Sequence, residues 1–165
     1  MYKVNDKVIH SREGLSTIVG QTTFADRTYF IIKPDNGNAD NIYVLTDKTE
    51  NIIRPIMKKD AAISLVKYMK TVVAEFIDNT KQRRDIYKKR LISGNVYDLA
   101  YLHVQLYFYE FYNKNGQLVK LGPTDLQILR DARKILFDEF AISFKVSRDS
   151  IQPFIEKMIA ELWEK

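Results

Sequence analysis

The hydrophobic pattern of the chain changes its period near Arg54-Pro55, and this change constrains the fold more than any other feature. From Lys3 to Met57, apolar and polar residues alternate in short segments rich in β-branched and aromatic residues, the pattern of half-buried strands. Beyond that point, apolar residues recur at three- and four-residue steps, as they do in amphipathic helices. The sequence therefore predicts an α+β chain in which strands come first and helices follow.

The strand-forming part predicts a small β-barrel. Its strand segments read KVNDKVIH, STIVGQTT, RTYFIIK, NIYVLT and NIIRPI, with turn signals between them. The Asn36-Gly37 pair suits a tight hairpin. Five short strands of this kind predict a curled barrel of the SH3 or Tudor type. A barrel this small keeps at least one exposed edge, onto which a strand of another protein can pair.

Five helices are predicted in the remainder, as an all-α domain. The predicted helix signals are an Asp60 cap, a Ser93-Gly94 stop, an Asn95 cap with Asp98 as its partner, a Thr124–Gln127 capping box and a start near Arg148. We expect the first helix to run to about Phe76 with an inward apolar stripe that includes Val73. The expected domains are residues 1–57 and 58–165.

The positive charge of the chain is concentrated in one segment. The net charge is +5, yet residues 1–57 hold seven basic and seven acidic side chains, and residues 91–165 hold nine and ten. Residues 58–90 hold ten basic and four acidic side chains and so account for the surplus. A local cluster of this kind is typical of a surface that contacts phosphates, whereas the structural alternative is a solvated helix face.

Within this segment, KQRRDIYKKR places six basic residues in ten positions, 81–90, with one acid among them. Helical spacing predicts that Ile86, Tyr87 and Leu91 dock inward, with Arg83 and Arg90 between them keeping their charged groups in water. The residues expected to be free to contact a partner are Lys81, Arg84, Lys88 and Lys89. Such residues contact the nucleic-acid backbone and do not read bases.

Nothing in the sequence assembles a catalytic or cofactor site. The chain has no cysteine, no Gly-rich phosphate loop and no metal-ligand motif, and its two histidines, His10 and His103, lie far apart. His103 lies in the most apolar segment and is predicted to be a packed histidine. Asp138 and Glu139 are adjacent on a helix and are expected to point in different directions, which is unsuitable for paired acid-base chemistry. We expect no enzyme, no metal and no cofactor.

An aromatic series along the third predicted helix allows two interpretations. Its members are Tyr97, Tyr101, Phe108, Phe111 and Tyr112. A stacking platform for unpaired bases is one interpretation. Core packing is the favoured one, because apolar residues surround much of the helix. The chain also lacks an apolar run long enough to cross a bilayer, so a cytoplasmic protein is expected.

Four segments occur in a recognisable order: NDKVIHSREG, NIIRPI, RLISGNVYDLA and LQILRDARKILFDEFA. Together they resemble the CarD family of bacterial RNA polymerase-binding regulators, also called CdnL, over nearly the whole chain. The first segment is similar to the family's G-D-x-V-V-x-P-x-x-G, with Asn5 in place of Gly and Ser11 in place of Pro. SGNVYDLA, at 93–100, is similar to the family's S-G-D-x-x-x-V-A. The N-terminal part of the family is shared with transcription-repair coupling factor.

The resemblance implies two partners. The N-terminal module of the family binds the β subunit of RNA polymerase through a strand edge, and the helical domain holds promoter DNA at the upstream edge of the transcription bubble. The implied edge here is NIYVLT: Asn41, Ile42, Tyr43, Val44, Leu45 and Thr46. The implied DNA contacts are Lys81, Arg83, Arg84, Lys88, Lys89 and Arg90.

The chain departs from the family at one position that the resemblance makes important. Relatives carry a tryptophan thirteen residues before the Ser of S-G-D, where it wedges into the minor groove of the DNA. The corresponding residue here is Thr80, which cannot act as an apolar wedge. The hypothesis from sequence is a nucleoid-associated transcription regulator that modulates open-complex stability. The alternative is an adaptor that binds polymerase or another protein without contacting DNA.

Overall fold

The chain folds as a five-stranded antiparallel sheet followed by five helices in the part that the computed structural model describes. That part comprises residues 1–35, 37, 40–73, 75, 77–111 and 121–163, without the side chains of 108–111 and 161–163. The strands are β1 (Lys7–His10), β2 (Gly14–Phe24), β3 (Arg27–Pro34), β4 (Ile42–Leu45) and β5 (Ile53–Pro55). The predicted α+β order is confirmed.

The sheet has the strand order β4-β3-β2-β1-β5 and is open, so the predicted barrel is only approximate. β4 and β5 are the edge strands because neither pairs with the other. β2 and β3 form a hairpin whose turn residues, Ala25 and Asp26, have φ values of 48° and 60°. The predicted Asn36-Gly37 turn lies partly outside the described residues. The core of the sheet consists of Val8, Ile18, Phe30, Ile32, Val44 and Ile53.

The helices are α1 (Lys59–Thr71), α2 (Thr80–Ser93), α3 (Val96–Phe111), α4 (Pro123–Phe144) and α5 (Ile151–Trp163). α1 ends before the expected Phe76, and Val73 is exposed, so its predicted inward position is wrong. The cause is the buried Gln105 of α3: its Nε2 donates to the Val73 carbonyl at 2.6 Å, and its Oε1 accepts from the Glu75 N–H at 3.0 Å. These bonds hold the backbone after α1 in a non-helical path.

The helix signals of the sequence have mixed outcomes. Gly94 takes the left-handed conformation at the end of α2, and the Asn95 side chain accepts from the Tyr97 N–H, so the stop and the cap are confirmed. The predicted pairing of Asp98 with Asn95 is wrong, because Asp98 accepts from Arg90 and Ser93, and the Asn95 N–H donates to the Ser93 Oγ. The predicted Asp60 cap and Thr124–Gln127 box are wrong, because Lys58 and Gly122 are the N-caps and neither makes a side-chain cap bond. Pro123 starts α4 one residue before Thr124, since proline at the first position needs no N–H partner.

The two halves share a hydrophobic core. Ile9 of β1 belongs to the helical core together with residues of α1, α3, α4 and α5, and Leu15 of β2 packs against it. Ile135 of α4 lies against Gly14 at the start of β2, 3.2 Å from where a Cβ would be. The sheet therefore rests on α4 through its β1-β2 side and leaves β4 at the far edge.

Gly94 offers a sharp test of this contact between the halves. It has φ +64°, and a Cβ at this position would lie 2.7 Å from the Ser11 Cβ and 2.9 Å from the Ser11 Cα. We expect Gly94→Ala to lower the free energy of unfolding by about 2 to 5 kcal/mol, since backbone strain and overlap add. Chemical denaturation measures this loss.

The matched control is Gly37→Ala. Gly37 also has a positive φ, +82°, but nothing lies within 4 Å of its added Cβ. Gly37→Ala should lower the free energy of unfolding only by the cost of the left-handed backbone conformation, about 1 to 2 kcal/mol. Equal losses for the two variants would contradict the close approach of Gly94 to Ser11.

Candidate functional site

α2 presents a basic face on one side only. The Asn79 side chain caps the helix by accepting from the Gln82 N–H at 3.0 Å, and Gly94 ends it. Tyr87 is fully buried and fixes which side of the helix faces the core. The residues left exposed on the opposite side are Lys81, Gln82, Asp85, Lys88, Lys89 and Ile92. We call Lys81, Lys88 and Lys89 the lysine face.

Arg83 does not keep its charged group in water as expected, whereas Arg90 does so in part, with its side chain 37% exposed. The Arg83 Nη2 donates to Asp125 Oδ2 at 2.9 Å, and the Asp125 side chain is only 1% exposed. The Arg90 Nη1 donates to Asp98 Oδ1 at 2.5 Å, and its guanidinium lies 4.0 Å from the centre of the Tyr101 ring. Both arginines therefore have acidic partners within the chain, and these ion pairs attach α2 to α4 and α3.

Arg84 lies between these two groups. Its side chain is half-buried beside Gly122 at the start of α4, and its Nε is buried without a hydrogen bond among the described residues. The predicted free position of Arg84 is therefore only partly realised. Of the four residues predicted to be free to contact a partner, the three lysines of the lysine face are exposed.

The predicted strand NIYVLT forms β4, and it lies at an edge of the sheet. In the β3-β4 register, Thr28 lies opposite Thr46 and Phe30 lies opposite Val44. The Thr46 N–H donates to the Thr28 carbonyl, so Thr28 and Thr46 form a hydrogen-bonded pair. Because hydrogen-bonded pairs alternate in an antiparallel ladder, the N–H groups of Tyr43 and Leu45 point away from β3. The Tyr43 side chain is 58% exposed. Two backbone donors and an aromatic ring are thus presented at this edge.

The other edge strand is bound by the helical half. The Arg54 Nη1 and Nη2 donate to the two carboxylate oxygens of Glu139 at 2.6 and 2.7 Å, and its Nε donates to the Gly94 carbonyl at 3.4 Å. The Met57 N–H also donates to Glu139, at 2.8 Å, and the Ser143 Oγ donates to the Met57 carbonyl at 2.8 Å. We call Arg54, Met57, Glu139 and Ser143 the clamp.

The clamp was not predicted from the sequence, although Glu139 was singled out. Asp138 and Glu139 do point in different directions, as predicted: Asp138 pairs with Arg148, and Glu139 pairs with Arg54. Glu139 is completely buried. The signal for the clamp was a carboxylate inside the apolar stretch ILFDEFA, because a buried charge requires a charged partner.

The two histidines are structural. The His10 Nδ1 accepts from the Arg12 and Glu13 N–H groups in the β1-β2 turn, and burial lowers the pKa of His10. His103 is buried in α3, and its Nδ1 accepts from the Arg133 Nε at 3.1 Å. Burial, aided by the Arg133 charge, lowers the pKa of His103 to about 3. Both rings are held as neutral imidazoles.

The state of His103 predicts a pH dependence of stability. An unfolded histidine has a pKa of about 6.5, so between that value and about 3 the unfolded chain binds a proton that the folded chain does not. Stability is therefore lost as the pH falls through this window. We expect the free energy of unfolding to fall by about 2 to 3 kcal/mol more between pH 6.5 and 4.5 in the parent than in His103→Gln. Parallel denaturation curves for the two proteins across this range would contradict the burial of a neutral imidazole.

The aromatic series of α3 is only partly described. Tyr101 is half-buried beneath Arg90, and Tyr97 is half exposed with its ring edge-on to Tyr68, 5.0 Å away. The side chains of Phe108, Phe111 and Tyr112 lie outside the described residues. Burial raises the pKa of the Tyr101 phenol, and the charge of Arg90 opposes this rise.

Among the described residues, no three His, Asp or Glu side chains converge in a way that could hold a metal ion. Within the same residues, no helix combines the length and the apolar character needed to cross a bilayer.

The N-terminal 57 residues thus form an open antiparallel sheet with β4 at one edge. Residues 2–57 match the family model described as the CarD-like/TRCF RID domain. These residues thus form an RNA polymerase-interacting module of the CarD-like/TRCF RID family. The match covers 56 of 165 residues and ends at Met57, so the resemblance is confirmed for the sheet and stays a prediction for the helices. No curated protein matches the chain.

Proposed function

We propose that this chain is a bacterial transcription regulator of the CarD type, without catalytic activity or a cofactor. It binds the β subunit of RNA polymerase with its N-terminal module and the backbone of promoter DNA with α2, and it acts in the cytoplasm at the nucleoid. The observation that carries the proposal is the family match of residues 2–57. The division of labour at Met57 is part of the proposal.

The β subunit contact is assigned to the β4 edge, Asn41 to Thr46. Two features support this assignment: the backbone donors of Tyr43 and Leu45 face outward, and Arg54 of β5, at the other edge, is held through its side chain by Glu139 of α4. An added strand gains main-chain hydrogen bonds along such an edge. The exposed Tyr43 ring supplies apolar contact area beside them.

The DNA contact is assigned first to the lysine face. Three exposed ammonium groups on one side of a helix suit phosphates, and they carry no sequence information. Arg84 is a fourth candidate, with one buried nitrogen and the rest of its side chain partly accessible. Arg83 and Arg90 contribute indirectly, because their pairing with Asp125 and Asp98 fixes the helix in place.

The effect on transcription follows from which state of the promoter the chain binds. A regulator shifts the open-complex equilibrium only by its difference in affinity for the melted and closed states. Thr80 begins α2 as an exposed, small polar residue and cannot insert between bases. The stabilisation of the open complex is therefore expected to come from backbone contacts.

A second candidate function is a protein-only adaptor. It is favoured by the pairing of two of the six basic residues, Arg83 and Arg90, with acids of the chain. In that case the lysine face would be only a solvated surface. A titration of the chain against duplex DNA at two salt concentrations discriminates the two functions, because phosphate contacts weaken steeply with salt.

Capture of RNA polymerase β-subunit fragments by the full chain tests the shared part of both functions. Retention of a β fragment, together with salt-dependent binding of duplex DNA, is the result expected of the regulator. Retention of the β fragment without DNA binding would support the adaptor. A chain that retains no β fragment would contradict the regulator and any adaptor that acts on the β subunit.

A further inference from the structure

The clamp joins the sheet to the helices. It ties β5, and Met57 two residues after β5, to α4 through a bidentate ion pair and two backbone contacts. The Glu139 carboxylate is fully buried and accepts from two nitrogens of Arg54 and from the Met57 N–H. A carboxylate used in this way permits one relative orientation of the two elements, since bidentate pairs are geometrically specific.

The same contacts connect the two proposed binding surfaces. Arg54 also donates to the Gly94 carbonyl, and Gly94 is the residue that ends α2 behind the lysine face. Gly94 in turn lies against Ser11 in the β1-β2 turn. The end of the basic helix is therefore fixed to the sheet from two sides, by a side chain of β5 and by the backbone next to β1.

We propose that Arg54 and Glu139 are positioning residues that hold the β4 edge and the lysine face at one fixed separation, so that a complex in which polymerase and promoter DNA are already joined is bound more tightly than either partner alone. The proposal rests on the proposed function and assigns neither residue to a partner contact. Two linked sites bind a two-part target more tightly than either alone only if their geometry matches it. A rigid connection gives this gain in affinity in full, whereas a flexible connection lowers the effective concentration of the second site.

A distance measurement tests the rigid connection without any partner. The chain has no cysteine, so a single pair of spin labels can be introduced at Lys48→Cys in the sheet half and Gln82→Cys in α2, both at exposed positions. We expect a narrow distance distribution in this background. Adding Glu139→Gln should broaden it, because the neutral amide cannot hold the guanidinium through two charged bonds. Equal widths would overturn the role of the clamp.

Binding measurements test the coupling. Affinity is measured for a β-subunit fragment alone, for duplex DNA alone, and for a polymerase–promoter complex that contains both, all with the full chain. For Glu139→Gln we expect the two single affinities to stay within about twofold, and the gain on the complex that contains both partners to fall by about tenfold or more. A retained gain, or a drop in the single affinities of the same size, would overturn the proposal.

Failure of the proposed function gives a different result, because the parent chain would then lack one single affinity. In that case the proposed coupling is contradicted as well, even if the distances between the spin labels show that the clamp is rigid. Should Glu139→Gln not fold, Ser143→Ala takes its place, since it removes only the hydroxyl that donates to the Met57 carbonyl. Its loss of coupling should be smaller, about twofold to fivefold. An unchanged coupling in this variant would overturn the proposal equally.

Discussion

Reversing the lysine face abolishes most DNA binding if the helix contacts phosphates. We expect the triple variant Lys81→Glu, Lys88→Glu, Lys89→Glu to weaken duplex binding about a hundredfold or more at low salt, equally for all sequences. The slope of log affinity against log salt should decrease by about 3, roughly one for each phosphate that the lysines no longer neutralise. The three side chains are exposed on one side of α2, so the fold should tolerate the change. A fluorescence titration at several salt concentrations measures both quantities.

The matched control changes the net charge equally but elsewhere. Lys33, Lys48 and Lys145 are exposed lysines outside α2, and their reversal to Glu alters only the overall field of the protein. This control should lose far less affinity and keep a salt slope near that of the parent chain. Indistinguishable losses in the two triple variants would mean that DNA is attracted by total charge and not by the lysine face.

Replacing Tyr43 by proline should disrupt polymerase binding while leaving the sheet intact. The Tyr43 N–H points away from β3, so proline removes a donor from the open edge and no bond from the β3-β4 ladder. An added strand would then face a missing donor and leave a carbonyl unpaired. We expect the affinity for the β-subunit fragment to fall about 10- to 100-fold, measured by calorimetry.

Tyr43→Ala separates the backbone from the ring. This variant keeps the N–H and removes the exposed aromatic side chain, so the affinity that it loses reports the apolar contact alone. A proline variant that binds as well as the parent would exclude strand addition at β4. If alanine and proline cause equal losses, the ring and not the edge carries the contact.

The order of elements was predictable because hydrophobic periodicity reflects which side of each element is buried. The stripe of α1 (Ala62, Leu65, Val66 and Met69), the Gly94 stop and the Asn95 cap all depend on residues near in sequence, and each prediction is confirmed. The position of β4 at an edge also agrees with the exposed edge expected of so small a sheet. Local chemistry was sufficient for these features.

The features that could not be predicted depend on residues distant in sequence. α1 ends early because Gln105, about thirty residues later, binds the backbone that follows it. Arg83 was expected to reach water, but its partner Asp125 comes from α4, 42 positions later. The Arg54–Glu139 pair joins residues 85 positions apart. Helical spacing shows which side of a helix a residue occupies and not which partner it meets there.

Amide hydrogen exchange in the presence of a β-subunit fragment tests most directly the claim that the chain binds polymerase through its β4 edge. In the free chain, the outward N–H groups of Tyr43 and Leu45 should exchange faster than those of Ile42 and Val44, which the ladder register directs toward β3. We predict that the fragment slows exchange at Tyr43 and Leu45 by about tenfold or more and changes Ile42 and Val44 little. A bound fragment that leaves Tyr43 and Leu45 unprotected would contradict the account.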